Sequence, residues 1–118
     1  MSAGTAVVAN DFAARWDAED RQVKLRFWKF VESFPSLAKW AANASAVDEK
    51  FNAMKFDKWA SGPCPGHGAL EAARFVLSVW NPSTDWKCGR FQIHDALSCW
   101  DGRHQEAFLR WCADPWWP

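Results

Sequence analysis

An apolar stripe with helical spacing runs through the first third of the chain and constrains the fold more than any other feature. At about 100° per residue its members share one face of a helix. They are Phe12, Trp16, Val23, Phe27, Phe30 and Phe34. Asn10 or Asp11 can cap the start of this helix, and Pro35 stops it just after the stripe ends. The pattern predicts one long amphipathic helix over about residues 11–34.

The rest of the chain shows helical patterns separated by loops rich in proline and glycine. PSLAKWAANASA and VDEKFNAMKFDKWA read as shorter helices, and ALEAARFVLSVWN is apolar nearly all round, as expected of a buried central helix. The loops SGPCPGHG and PSTDWKCGR cannot continue a helix. FQIHDALSCWDGRHQEAFLRWCADP predicts a helical hairpin that a tryptophan-rich tail follows. The sequence therefore predicts an all-α domain of five or six helices over residues 11–118, after a flexible arm over residues 1–10.

Composition narrows the class of protein. Ten Trp and nine Phe in 118 residues provide ample apolar surface for a small core, which argues against disorder of the whole chain. Fourteen basic and fourteen acidic residues cancel, which argues against a general nucleic-acid binder. The sequence shows no secretion signal and no apolar run of membrane-spanning length, so we expect a cytoplasmic protein. The Ala-, Trp- and Arg-rich composition without Tyr is typical of a bacterial or phage gene.

The cysteines and histidines offer two low-ranking sites. Cys64 and His67 form a close pair, and a structural zinc ion would need two further ligands such as Cys88 and Cys112. No second close pair is present, so neither a metal nor another cofactor is predicted. The same Cys64 could be a nucleophile, because a helix N-terminus and a nearby imidazole lower the pKa of a thiol. No acid that would orient His67 is identifiable, and the chain is not predicted to be an enzyme.

The surplus of tryptophan favours protein contact instead. Trp is enriched at interface hot spots, and one small core does not need ten. The predicted contact residues lie off the main stripe of the first helix, in a loop and in the tail, with three rim cations. They are Leu25, Trp28, Trp86, Trp116, Trp117, Arg21, Lys24 and Lys29. We expect an adaptor, inhibitor or accessory factor that binds a protein partner or itself.

Two questions stay open at this point. The tail WCADPWWP either docks on its own domain, which is the favoured alternative, or is a ligand for another chain. A nucleic-acid-associated role through the basic residues of the first helix is the alternative function. No segment carries the signature of a known family.

Overall fold

The computed structural model describes the backbone of residues 2–118 and the side chains of residues 14–118. This part of the chain forms six helices and no strand. They are α1 (Ser2–Glu32), α2 (Pro35–Ser45), α3 (Ala53–Ala60), α4 (Gly66–Trp80), α5 (Ile93–Cys99) and α6 (Gly102–Ala113). The all-α prediction is confirmed. None of these helices combines the length and the apolarity that crossing a membrane requires.

The first helix differs from its predicted limits at both ends. It ends at Glu32, and Phe34 adopts an extended backbone (φ −86°, ψ 115°) ahead of Pro35, which opens α2. A residue before proline is forced out of the helical region, and proline fits the first turn of the next helix. The predicted arm starts with Met1, outside the described residues. The backbone of α1 covers residues 2–10, and the flexibility of that segment stays a prediction.

Helix α4 lies at the centre of the domain, as its apolar composition predicts. It packs against α2, α3 and α5. Ala72, Val76 and Leu77 on this helix are fully buried. Phenylalanine rings from α1, α3 and the α1–α2 corner complete the core around it.

Side-chain hydrogen bonds fix the long loop between α4 and α5. The buried carboxylate of Asp57 on α3 accepts the backbone N–H groups of Lys87 and Cys88, both at 2.9 Å. On the other side, the Nε–H of Arg74 donates to the Cys88 carbonyl at 2.6 Å. Arg74 also pairs with the buried Glu71 (Nη1–Oε1, 2.6 Å). The loop is thus held by charge-assisted bonds, which are stronger than neutral ones.

Candidate protein-interaction surface

The apolar stripe of α1 is buried only in its C-terminal part. The Phe27 ring lies in the core, 4.7 Å from the ring of Phe51 and 5.1 Å from that of Trp80. Further toward the N-terminus the same stripe is exposed, 43% at Val23 and 59% at Trp16. Only the C-terminal part of the stripe is therefore a core face, because the packed domain ends near Phe27. The side chain of Phe12 lies outside the described residues.

Five of the predicted contact residues line one cleft, which we call the α1/α2 cleft. It has a volume of about 440 Å³ and lies between α1 and the segment that follows α2. Its lining is Arg21, Lys24, Leu25, Trp28, Lys29, Glu32, Ser45 and Glu49. Since residues 21, 25, 28 and 32 lie three or four apart, the helix alone brings them to one face. Leu25 is its exposed apolar residue, at 55%.

Trp28 belongs to the core and is not an exposed anchor. It is only 5% exposed, and its indole N–H donates to the Glu49 carbonyl at 2.8 Å. Its ring packs against Trp40 and Phe51 at centroid distances of 6.0 and 5.6 Å. The prediction that Trp28 is a surface contact is therefore wrong, because its side chain is buried. A tryptophan off the main stripe can be buried when a second helix, here α2, packs on that side.

Lys24 on the edge of the α1/α2 cleft is held by an ion pair. Its Nζ lies 2.8 Å from Oδ2 of Asp20, one turn earlier. Their hydrogen bond lowers the pKa of Asp20 and raises the pKa of Lys24. The pair places one negative and one positive charge beside the cleft at neutral pH.

The tail docks on its own domain through Trp116. This half-buried ring meets Phe27 and Phe30 edge-on at 6.1 and 6.0 Å, and the Arg26 guanidinium lies 4.0 Å above it. The Trp111 indole N–H donates to the Trp116 carbonyl at 3.0 Å. Of the two alternatives for the tail, the structure shows self-docking for Trp116.

Trp117 and Trp86 lie apart from the α1/α2 cleft. Trp117 is 61% exposed and touches Trp111 edge-on at 5.4 Å. Trp86 is half-buried in the loop after α4, with its indole N–H donating to the Asn81 carbonyl at 3.2 Å. The predicted contact residues thus occupy three separate places, of which the α1/α2 cleft unites the most.

A second cleft lies between α1, α6 and the docked tail. This α1/α6 cleft has a volume of about 350 Å³, and three cations line it: Arg26, Lys29 and Arg110. Asp114 is the one acidic residue in its lining. The cleft is accordingly positive, although the chain as a whole is neutral.

The candidate zinc ligands are not brought together. Within the described side chains, no group of three His, Cys, Asp or Glu residues could hold a metal ion. Cys64, His67, Cys88 and Cys112 therefore form no shared site in this structure.

The thiol environments also contradict an activated nucleophile at Cys64. Burial raises the pKa of the Cys64 thiol, whereas a nucleophile needs a lowered one. Burial and a hydrogen bond with Asp57 raise the pKa of Cys88 to about 12. Cys112 is exposed.

We expect alkylation of the native protein to follow this burial. Iodoacetamide at pH 8 should modify the exposed Cys99 and Cys112 first, Cys64 more slowly and Cys88 only after unfolding, because the thiolate is the reactive form and must also be reached. Peptide mass spectrometry over a time course measures the order in which the cysteines are alkylated. A denatured sample gives the alkylation rate of each cysteine when it is fully exposed. If Cys64 reacted fastest, the conclusion that its thiol is not activated would be wrong.

Sequence reasoning missed a hydrogen-bonded link between α6 and α2. Asp101 caps α6, accepting the backbone N–H of His104 at 3.0 Å, and its Oδ1 lies 2.7 Å from His104 Nδ1. The other ring nitrogen, Nε2, lies 2.7 Å from Ser36 Oγ and accepts the Ser36 backbone N–H at 3.3 Å. Because Nε2 accepts that N–H, the neutral ring carries its proton on Nδ1 and donates it to Asp101.

These contacts connect the three side chains in the order of a catalytic triad, from Ser36 through His104 to Asp101. Here, however, the lone pair of Nε2 is shared with a backbone N–H, and Asp101 also serves as a helix cap. These bonds account for the three side chains as a tie between the starts of two helices. The capping signal at Asp101 is visible in the sequence, but the partner Ser36 lies 68 residues away from His104.

The chain matches no known family, no curated protein and no solved structure.

Proposed function

We propose that this chain is a small protein-interaction module, an adaptor, inhibitor or accessory factor, that binds a partner helix along the exposed part of α1. The observation that supports it is the exposure of apolar side chains on a helix whose next turns form the core, with Trp16 and Val23 on one side and Leu25 on the other. Burying a Val or Leu side chain contributes about 1.5–3 kcal/mol. Val23 and Leu25 are 43% and 55% exposed, so a partner that covers them gains about half of that free energy.

The architecture lowers the cost of binding. The C-terminal turns of α1 are fixed in the core through Phe27 and Val31, so the exposed turns continue a helix that is already anchored. A preordered surface loses less conformational entropy on association than a flexible segment. Laying one amphipathic helix against another is a common recognition mode.

The proposed setting is the cytoplasm. All four cysteines are free thiols. Unpaired cysteines are the rule in a reducing compartment.

Capture from a native lysate with matched variants tests the proposal. We expect the wild-type chain to enrich a protein that V23S/L25S fails to retain, because both substitutions remove apolar contact on exposed α1. The control is L97S/L109S, which replaces two residues of similar exposure, 46% and 60%, on α5 and α6. Circular dichroism checks that both variants are folded. Equal retention by both double variants would refute the assignment of the surface to α1.

A nucleic-acid-associated role is the second candidate, and the α1/α6 cleft is the observation that favours it. Arg26, Lys29 and Arg110 could neutralise phosphates, and such binding weakens steeply with salt. Nuclease treatment of the same lysate separates the two functions. A captured protein that disappears with nuclease, and that K29A/R110A also loses, would support the nucleic-acid role over the first proposal.

A further inference from the structure

We infer that the partner of α1 is a second copy of this chain, bound antiparallel through the exposed segment of the same helix. This inference rests on the proposed function and names the occupant of one side of exposed α1, the side that carries Leu25.

The charges of α1 change sign along its exposed part. Residues 14–20 contain three carboxylates, Asp17, Glu19 and Asp20, against one cation, Arg15. Residues 21–31 contain four cations and no acid. A parallel second helix would set like charges side by side. A reversed copy sets the acidic segment of each chain against the basic segment of the other, which favours association and fixes its direction.

A two-fold axis near residues 21 and 22 gives this arrangement a specific register. Asp17 and Lys24 lie on the same edge of α1, seven residues apart, so each Asp17 faces Lys24 of the second copy, which keeps its ion pair with its own Asp20. On the opposite edge, Glu19 faces Arg26 of the second copy by the same symmetry, beside the Trp116 ring that this guanidinium covers. Between the two edges, the small and exposed Ala18 lies across from the exposed Leu25. Each contact occurs twice, as an isologous interface requires.

The face that carries Leu25 is accessible to a second helix. At 100° per residue, Leu25 lies roughly opposite to the stripe of Phe27 and Phe30, which holds the rest of the domain. A second copy can therefore approach α1 from the Leu25 side without displacing the core. Opposite-charge pairs at such an exposed interface are screened by salt, so the dimer should weaken as ionic strength rises.

Reversing the charge at either position of one predicted pair tests the inference on the full chain. D17K sets two cations against each other at both symmetry-related contacts, and K24E sets two carboxylates against each other. We expect sedimentation equilibrium at about 0.1 mM to show a wild-type dimer and at least tenfold weaker self-association of each variant. An equimolar mixture of D17K and K24E restores opposite charges at both contacts and should again sediment as a dimer.

Two controls make the same charge changes elsewhere. K58E on α3 and D85K in the loop after α4 alter exposed residues, and both should self-associate like the wild type. Melting temperatures check that all variants are folded. A monomeric wild type, or a dimer that D17K and K24E affect no more than the controls, would overturn the inference. A monomeric wild type that still captures another protein through Val23 and Leu25 would refute the second copy alone and leave the proposed function standing.

Discussion

Truncating Phe34 to alanine (F34A) is expected to lower the free energy of unfolding by about 3–5 kcal/mol. Phe34 is fully buried at the corner between α1 and α2. Its ring lies 6.0 Å from Phe75 on α4, 5.7 Å from Trp100 and 6.2 Å from the His104 ring on α6. Removing it therefore opens a cavity where three parts of the core meet. Urea denaturation followed by circular dichroism measures the loss.

The exposed Trp117 supplies the matched control for F34A. W117A also removes an aromatic ring, but one that is mostly in contact with solvent. We expect it to change the free energy of unfolding by less than about 1 kcal/mol, since surface substitutions have small effects. If F34A lowered the free energy of unfolding no more than W117A does, Phe34 would not be packed at the α1–α2 corner as described.

Replacing Arg74 by alanine (R74A) is expected to cost about 3–5 kcal/mol of stability. The Glu71 carboxylate is buried, Arg74 binds its Oε1 at 2.6 Å, and its Oε2 has no hydrogen-bond partner among the described residues. R74A leaves this charge without a counterion, and it also frees the Cys88 carbonyl that Arg74 binds. Denaturant unfolding at pH 7 measures the loss.

Two further variants distinguish the stranded charge from a simple loss of contacts. E71M/R74M removes both charges and keeps apolar volume, so it should recover most of the stability that R74A loses. R90A breaks the exposed Arg90–Asp85 pair, which is 3.3 Å long, and should show no measurable change. If E71M/R74M were as unstable as R74A, the buried charge would not be the cause.

The α1–α2 corner shows how far local sequence signals reach. Pro35 indicates that a helix stops before it, and the structure ends α1 at Glu32 because Phe34 must be extended ahead of the proline. Asp101 signals a helix start in the same way and caps α6. Such signals act between neighbours in the chain, so they can be found without knowing the fold. The tie from His104 to Ser36 cannot be found in this way, because it joins distant residues.

The interaction surface was predictable only in part for the same reason. Spacing placed Leu25 and Trp28 off the main stripe of the first helix, and the structure has both lining one cleft with Arg21, Lys24 and Lys29. Spacing could not show that Trp28 on that face is covered by Trp40 and Phe51, while Leu25 stays exposed. Nor could it show that Trp116 folds back on Phe27 and Phe30.

The sequence by itself determined the helical class, the approximate position of each helix and the burial of α4, because periodicity and composition are properties of the local chain. The tertiary structure decided which turns of α1 are covered. Val23 and Phe27 belong to the same stripe, yet one is exposed and the other buried. The physical reason is that an amphipathic pattern records only that a face is apolar. Whether the domain itself or another chain covers that face depends on where the remaining helices pack.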